Sequence, residues 1–168
     1  MTAMTEAKSF TLRAAEPRDV ASLIALITGL AEYEKLEHLL EVTPERLREH
    51  LFGAQPVVEA IVAESADEPA RALGFALFFK NYSTFLGKPG LYLEDLFVIP
   101  EARGFGVGRA LIQAVARIAV QRDYGRFEWS VLDWNAPAIR FYEGVGATVM
   151  PEWRICRLVG PALLSFGR

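Results

Sequence analysis

The feature that most constrains this chain is residues 91–108, LYLEDLFVIPEARGFGVG, which compress a strand, a sharp stop and a glycine-rich loop into one continuous stretch. Leu91, Leu93, Phe97 and Ile99 keep one register of a period-two pattern, and Tyr92, Leu96 and Val98 fill the other. Such a strand is buried on both faces. Glu94 and Asp95 stand in its middle. Unpaired carboxylates are costly in an interior, so either the strand bulges there or the acids line a wet cleft. Pro100 then removes a ladder donor and ends the strand.

Arg103, Gly104, Phe105, Gly106, Val107 and Gly108 follow, and after them an apolar helix from Arg109 to about Arg122. Leu111, Ile112, Val115, Ile118 and Ala119 fall on one stripe of that helix. Three glycines just before a helix start let the backbone turn tightly and leave N–H groups uncovered. With the positive end of the helix dipole they form an anion cradle. A phosphate loop of the Walker type needs Gly-Lys-Ser/Thr where Arg109-Ala110 stands, and a dinucleotide fingerprint needs glycine at position 109. Both are disfavoured.

The remaining residues are consistent with a single ordered domain. The chain has 168 residues, of which 52% are apolar and 11% aromatic, enough for a sizeable core. No apolar run is long enough to span a bilayer and MTAMTEAKSF lacks a signal-peptide core, so no membrane association and a cytoplasmic location are expected. With one cysteine and two histidines, no metal site is expected. Lys and Arg number 18 against 21 acidic residues, without a basic stripe, which disfavours a nucleic-acid partner.

In chain order, residues 10–14 read as a strand, and Glu16-Pro17-Arg18-Asp19 turns into a helix carrying Leu23, Leu26, Ile27 and Leu30, weakened at its end by Gly29. Glu32, Tyr33, Glu34 and Glu37 form an acidic segment, either that helix's last turn or a loop, and by composition alone a solvated surface. Thr43 caps a short helix over residues 44–52 that Gly53 stops. Residues 57–64 and 72–79 form a hairpin, a loop over residues 81–90 leads to the acidic strand, and a meander results. After the glycine-loop helix, residues 127–133 are a strand and Asn135-Ala136-Pro137 opens a helix to about Glu143. Residues 148–159 return as a last strand or pair. The expectation is one mixed α/β domain over residues 10–168, behind a flexible N-terminus of residues 1–9.

Read alone, Tyr142 is a core aromatic and Cys156 a packed thiol. The motifs carry more. Arg-x-x-Gly-x-Gly after a strand ending in Val98-Ile99-Pro100 resembles the pyrophosphate loop of the GCN5-related N-acetyltransferases (GNAT), and Val131 to Glu143, VLDWNAPAIRFYE, resembles their second acyl-CoA motif. Taken with GFALFF and EWR, the chain looks like the spermidine/spermine and thialysine branch, from about Phe10 to Val159. The resemblance implies a mostly antiparallel sheet flanked by helices, with the acyl-CoA site where two neighbouring parallel strands splay. It implies acetyl-CoA as cosubstrate, a small-molecule primary amine as acceptor, and a homodimer. Leu96, Phe97 and Val98 would pair with the pantetheine arm, and Gly104, Phe105, Gly106, Val107, Gly108 and Arg109, with Arg103 ahead of them, would hold the pyrophosphate. Asn135 would touch the cosubstrate's arm. Tyr142 would protonate the departing sulfur and Glu94 would act as base. Tyr33, Glu34, Glu94, Asp95, Trp129, Ser130 and Glu152 would lie near the amine.

The energetics of that chemistry are reasonable. An alkylamine of pKa about 10.4 is neutral about once in 2,500 molecules at pH 7, a cost of about 4.6 kcal/mol that a base must offset. A tyrosine of pKa about 10 gives its proton to a thiolate of pKa about 8.5 uphill by about 2 kcal/mol. Where polyamine enzymes of the branch carry aspartate before Pro-Trp, this chain has Tyr82-Ser83-Thr84-Phe85, which favours a smaller amine such as a lysine analogue. The rival readings are an acetyltransferase acting on a protein amine and a non-catalytic acetyl-CoA sensor.

Overall fold

The structure, a computed structural model, describes residues 9–168. The described residues form two compact units, one ending at Ser130 and the other running from Val131 to Arg168.

The first unit is a five-stranded sheet in the order β1-β2-β3-β4-β5. Its strands are β1 (Phe10–Ala14), β2 (Glu59–Ser65), β3 (Ala72–Ser83), β4 (Lys88–Val98) and β5 (Arg126–Trp129). The first four form an antiparallel meander. Only β5 runs parallel to its neighbour β4, in register from Gly90↔Arg126 to Leu93↔Trp129. A parallel return needs a crossover, and α3 (Val107–Gln121) supplies it.

Alternation along β2 and β3 divides the core between two faces. Ala60, Val62, Phe75 and Leu77 join Leu23 and Leu26 of α1 (Val20–Glu34) and Leu47 and Leu51 of α2 (Pro44–Phe52) on one side. On α3, Leu111, Ile112, Val115 and Ala119 are buried, and the helix contacts all five strands. Thr43 caps α2 by accepting from the Arg46 N–H, and Gly53 ends it, as its sequence predicts.

One ion network pins the start of the unit. Arg13 on β1 donates to both carboxylate oxygens of Asp19 at 2.6 and 2.8 Å, and its Nε donates to Glu64 on β2. Asp19 also accepts from the Glu16 N–H, and Glu64 from the Ala70 N–H in the β2–β3 turn. A buried carboxylate is tolerable when its lone pairs are filled this way.

Several expectations are corrected. The loop over residues 81–90 shrinks to residues 84–87, because Lys80 to Ser83 continue the ladder opposite Leu91 to Lys88. Their polar side chains hid a strand whose backbone still pairs. Gly29 lies inside α1 rather than near its end, and a Cβ there would stand 3.1 Å from the Phe97 ring, so the glycine admits an aromatic from β4. Glu34 is half-buried in the last turn of α1, not a solvated surface residue. The strand expected over residues 127–133 ends at Trp129.

In the second unit α4 (Ala136–Gly144) follows Asn135, whose side chain accepts from the Ala138 N–H as an N-cap, and Gly146 at φ +93° takes the turn after the helix. Residues 148–159 form no strand, since a strand needs a ladder partner and Pro151 interrupts the run. A short helix α5 (Gly160–Phe166) follows that the sequence did not announce. Cys156 is exposed, not packed.

Replacing Arg13 with Leu leaves Asp19 buried without its cation and is expected to cost about 3 kcal/mol at pH 7. Asp19 is held below the ordinary aspartate value by the Arg13 hydrogen bonds. A depressed carboxyl stabilises above its unfolded pKa and loses that stabilisation as pH falls through its folded pKa. The gap between Arg13→Leu and the parent should therefore shrink as pH drops below about 3.9. Urea unfolding at pH 7 and pH 3 reads both values, and an equal gap at the two would remove the network from the stability of the fold.

Candidate active site

The site begins at an irregularity in β4. Asp95 pairs with Leu77 and Leu93 with Phe78, so Glu94 is an extra residue opposite no partner, a β-bulge. Of the two readings open from sequence, the bulge is realised. It shifts side-chain parity along the strand. Directly opposed residues share a face, so Asp95 lies with Leu77 on the α1 side while Glu94 is exposed.

Asp95 is half-buried and its carboxyl is pushed up to about 7, first by burial and then by the charges of Glu94 and Glu34. Burial also raises Glu34. The structure thus brings together three carboxylates that the sequence marked, from the end of α1 and the β4 bulge. Burial and like charge both hold a proton on the cluster, which makes Asp95 a group that titrates near neutrality.

Beyond Leu93 the parallel ladder stops while β4 continues through Leu96, Phe97 and Val98, still paired to β3. The two parallel strands part here. At the end of β4, Ile99 and Pro100 open a single 3-10 turn that closes on Arg103. Gly104 and Gly106 take φ +81° and +83°, values that L side chains rarely adopt, and Gly106 caps α3. A Cβ at either would meet nothing within 4 Å, so their glycines answer to backbone shape and face open space. Val107, Gly108 and Arg109 form the first turn of α3, whose leading N–H groups have no acceptor within the helix. Glycines at positive φ before a fifteen-residue helix fit a diphosphate group.

Arg103 does more than flank this loop. Its Nε donates to the Val98 carbonyl at 2.9 Å, and its guanidinium lies 5.1 Å from the Tyr33 ring centre and 5.5 Å from that of Phe97. On the β5 side, Tyr92 and Ser130 share a hydrogen bond at 2.6 Å, and the Trp129 ring lies tilted at 53° to that of Phe127 with centres 4.9 Å apart. Tyr92 was missed by the sequence reading. Its place in the alternate register marked only a buried strand, and the Ser130 partner follows the end of β5, nearly forty residues on.

Asn135, Tyr142 and Glu152 belong to the second unit. Asn135 is buried as the α4 cap, and the Tyr142 ring lies 5.4 Å from that of Phe141. The Tyr142 carbonyl accepts from Val145 and Ala147, closing the turn at Gly146. Glu152 is exposed in a turn. Among the described residues no group of three or more metal-ligating side chains occurs.

The chain is similar to known proteins over most of its length. An L-ornithine N5-acetyltransferase of Arabidopsis thaliana is 37% identical over 94% of this chain and 87% of its own length. A thialysine N-epsilon-acetyltransferase of Mus musculus is 35% identical over 90% of this chain and 94% of its own. Among solved structures, an integron cassette protein from the mobile metagenome of V. cholerae superposes with a TM-score of 0.78 at 25% identity, covering 95% of this chain and 98% of that one. The profile of the acetyltransferase (GNAT) family matches residues 26–147, from α1 through the bulge, glycine loop and α4. The chain belongs to the acetyltransferase (GNAT) family.

Proposed function

We propose that this N-acetyltransferase moves an acetyl group from acetyl-CoA directly to the terminal amine of a small amino acid of ornithine or thialysine type, with Asp95 receiving the amine's proton. The observation that carries the reading is the β4 bulge, which sets Asp95 opposite Leu77, where burial and the charges of Glu94 and Glu34 push its carboxyl up to about 7. Two relatives named for ornithine and thialysine, each aligned over most of its own length, support the acceptor class. The family match runs from residue 26 to 147 and supports treating residues 10–168 as one acetyltransferase domain. A cytoplasmic location is part of this reading, and no helix among the described residues is long and apolar enough to cross a membrane.

Acetyl-CoA supplies the activated acyl group. The first turn of α3 and the residues from Gly104 to Arg109 hold its diphosphate, and the edge of Leu96, Phe97 and Val98 offers backbone groups to its amide-bearing arm. Asn135 contributes a polar contact to that arm. Glu34 and Glu94 attract the ammonium, with Tyr33, Trp129, Ser130 and Glu152 completing its surroundings. Transfer of a proton from an amine of pKa about 10.4 to an aspartate of ordinary pKa about 3.9 is uphill by about 9 kcal/mol, whereas a carboxyl near 7 reduces this to about 4.6 kcal/mol. That difference favours Asp95 as acceptor of the proton. The Tyr142 hydroxyl donates to the departing sulfur.

A homodimer is also part of the reading. Val149, Met150, Trp153, Ile155, Leu158 and Val159 are all exposed, a run of apolar surface that a second copy would cover. Sedimentation at micromolar concentration should show twice the 18.7 kDa chain mass, reduced to one by Trp153→Ser with Ile155→Glu. A parent protein that sediments as the single chain would overturn this.

The acceptor is tested by acetyl-CoA-dependent thiol release across ornithine, thialysine, lysine, spermidine and an N-terminal peptide, with the exposed Cys156 replaced by Ala. Ornithine or thialysine should lead by at least about tenfold in kcat/KM, and Tyr142→Phe should lower kcat about a hundredfold while acetyl-CoA binding holds. Preference for the peptide or for spermidine would sink the acceptor class, and an unchanged kcat would remove Tyr142 from the reaction.

The Asp95 assignment makes a separate pH prediction. The parent's kcat/KM should rise with pH and level off above about 7, whereas Asp95→Asn should lose about a hundredfold and climb with unit slope through pH 9, following free amine alone. Stability moves the other way. A carboxyl whose folded pKa is raised stabilises below its unfolded pKa and loses that as pH rises toward 7. Asp95→Asn should therefore melt higher than the parent at pH 8, with the gap closing toward pH 4. Profiles that coincide would move the proton to another group.

A further inference from the structure

We infer that Arg103 is a positioning residue for the acceptor side, tying the glycine loop to the last turn of α1 through the Tyr33 ring. The inference rests on the proposed acetyl transfer to a small amine.

Arg103 opens the glycine loop, and from sequence it reads as a ligand for an anion. In the structure its contacts point elsewhere. Nε donates to the Val98 carbonyl, and the guanidinium lies over Tyr33 and Phe97, within the distance at which a cation is held by an aromatic face. The three partners come from the end of β4 and the end of α1. One planar group therefore ties strand, loop and helix together.

The helix side of the tie has its own logic. Tyr33 follows Gly29 by one helical turn, so both lie on the same face of α1. At Gly29 the missing side chain admits the Phe97 ring, and at Tyr33 the ring receives Arg103, which also lies over Phe97. The last turn of α1 is thus held against β4 by a stack of glycine, phenylalanine, arginine and tyrosine. Beyond it the helix ends at once. Lys35 turns into the left-handed region at φ 60°, and the Lys35 and Leu36 N–H groups close on Glu32 and Ala31. Glu34, next to Tyr33, rides on this same turn and contributes its charge at Asp95. Where Arg103 holds Tyr33, it sets Glu34, the carboxylate that α1 brings toward the amine.

Lysine cannot substitute here. It keeps the positive charge but lacks both the planar face and the Nε donor.

The test compares Arg103→Lys, Tyr33→Leu and the double variant in the full chain. With saturating acetyl-CoA, Arg103→Lys should raise the amine KM about three- to tenfold and leave kcat within about twofold. The Lys35 and Leu36 amides should exchange with deuterium faster by a similar factor, in protein without any ligand. On the Tyr33→Leu background the same change should add less than about twofold, because the partner through which Arg103 acts is gone. Unchanged exchange at Lys35 and Leu36 overturns the inference, as does weaker acetyl-CoA binding at constant amine KM, which would make Arg103 an anion ligand alone. Faster exchange in a protein that acetylates no amine of the panel would uphold the tie and place the failure in the proposed function.

Discussion

One extra residue in β4 governs the rest of the site. Had the strand kept strict alternation, Leu93, Asp95 and Phe97 would share a face, and the ladder to β3 would run on without interruption. Glu94 inserted opposite the Leu77–Phe78 step breaks that parity. Leu93 stays buried, Phe97 packs into the cluster under α1, and Asp95 is carried to the same side as Leu77. The bulge falls one residue beyond the last parallel pair, Leu93↔Trp129. Loss of alternation and loss of the β5 partner therefore coincide, and a half-buried acid stands at the point where the sheet opens.

The chain handles buried carboxylates in two opposite ways. Asp19 and Glu64 are paired with Arg13 and hydrogen-bonded to backbone N–H groups, and both are held low. Asp95 is surrounded by burial and two further carboxylates, and it is pushed up to about 7. The first arrangement joins β1, β2 and the entry to α1. The second gathers like charge at the end of α1 and the β4 bulge, an arrangement that costs stability rather than adding to it.

Much of this was legible in the chain, because the elements involved are set by local rules. The Pro100 stop, the glycines before α3, the Thr43 and Asn135 caps and the hairpin turn at residues 66–71 all depend on neighbours a few residues away. Misreadings came where partners are distant. Asn81 to Ser83 looked like loop because their side chains are polar, yet their backbone pairs with β4. Gly29 looked like a helix-weakening residue until the Phe97 ring arrived from β4 to fill its place. Residues 148–159 carried strand-forming side chains but no ladder, and Cys156 among them stands exposed.

The sequence by itself determined the order of strand, stop, loop and helix, and with it the anion cradle, since backbone dihedrals at Gly104 and Gly106 and the start of α3 are local properties. It also named the carboxylates. How far the Asp95 carboxyl is pushed up was decided only by tertiary structure, because its burial and the charge of Glu34, some sixty residues earlier in the chain, add to that of its neighbour Glu94. The same holds for Arg103. Its place in the loop is a matter of sequence, whereas its partners Tyr33 and Phe97 meet it only once α1 has packed on β4. Two adjacent acids in a period-two pattern left a bulge as one of two readings, and only the pairing of β4 with β3 decided between them.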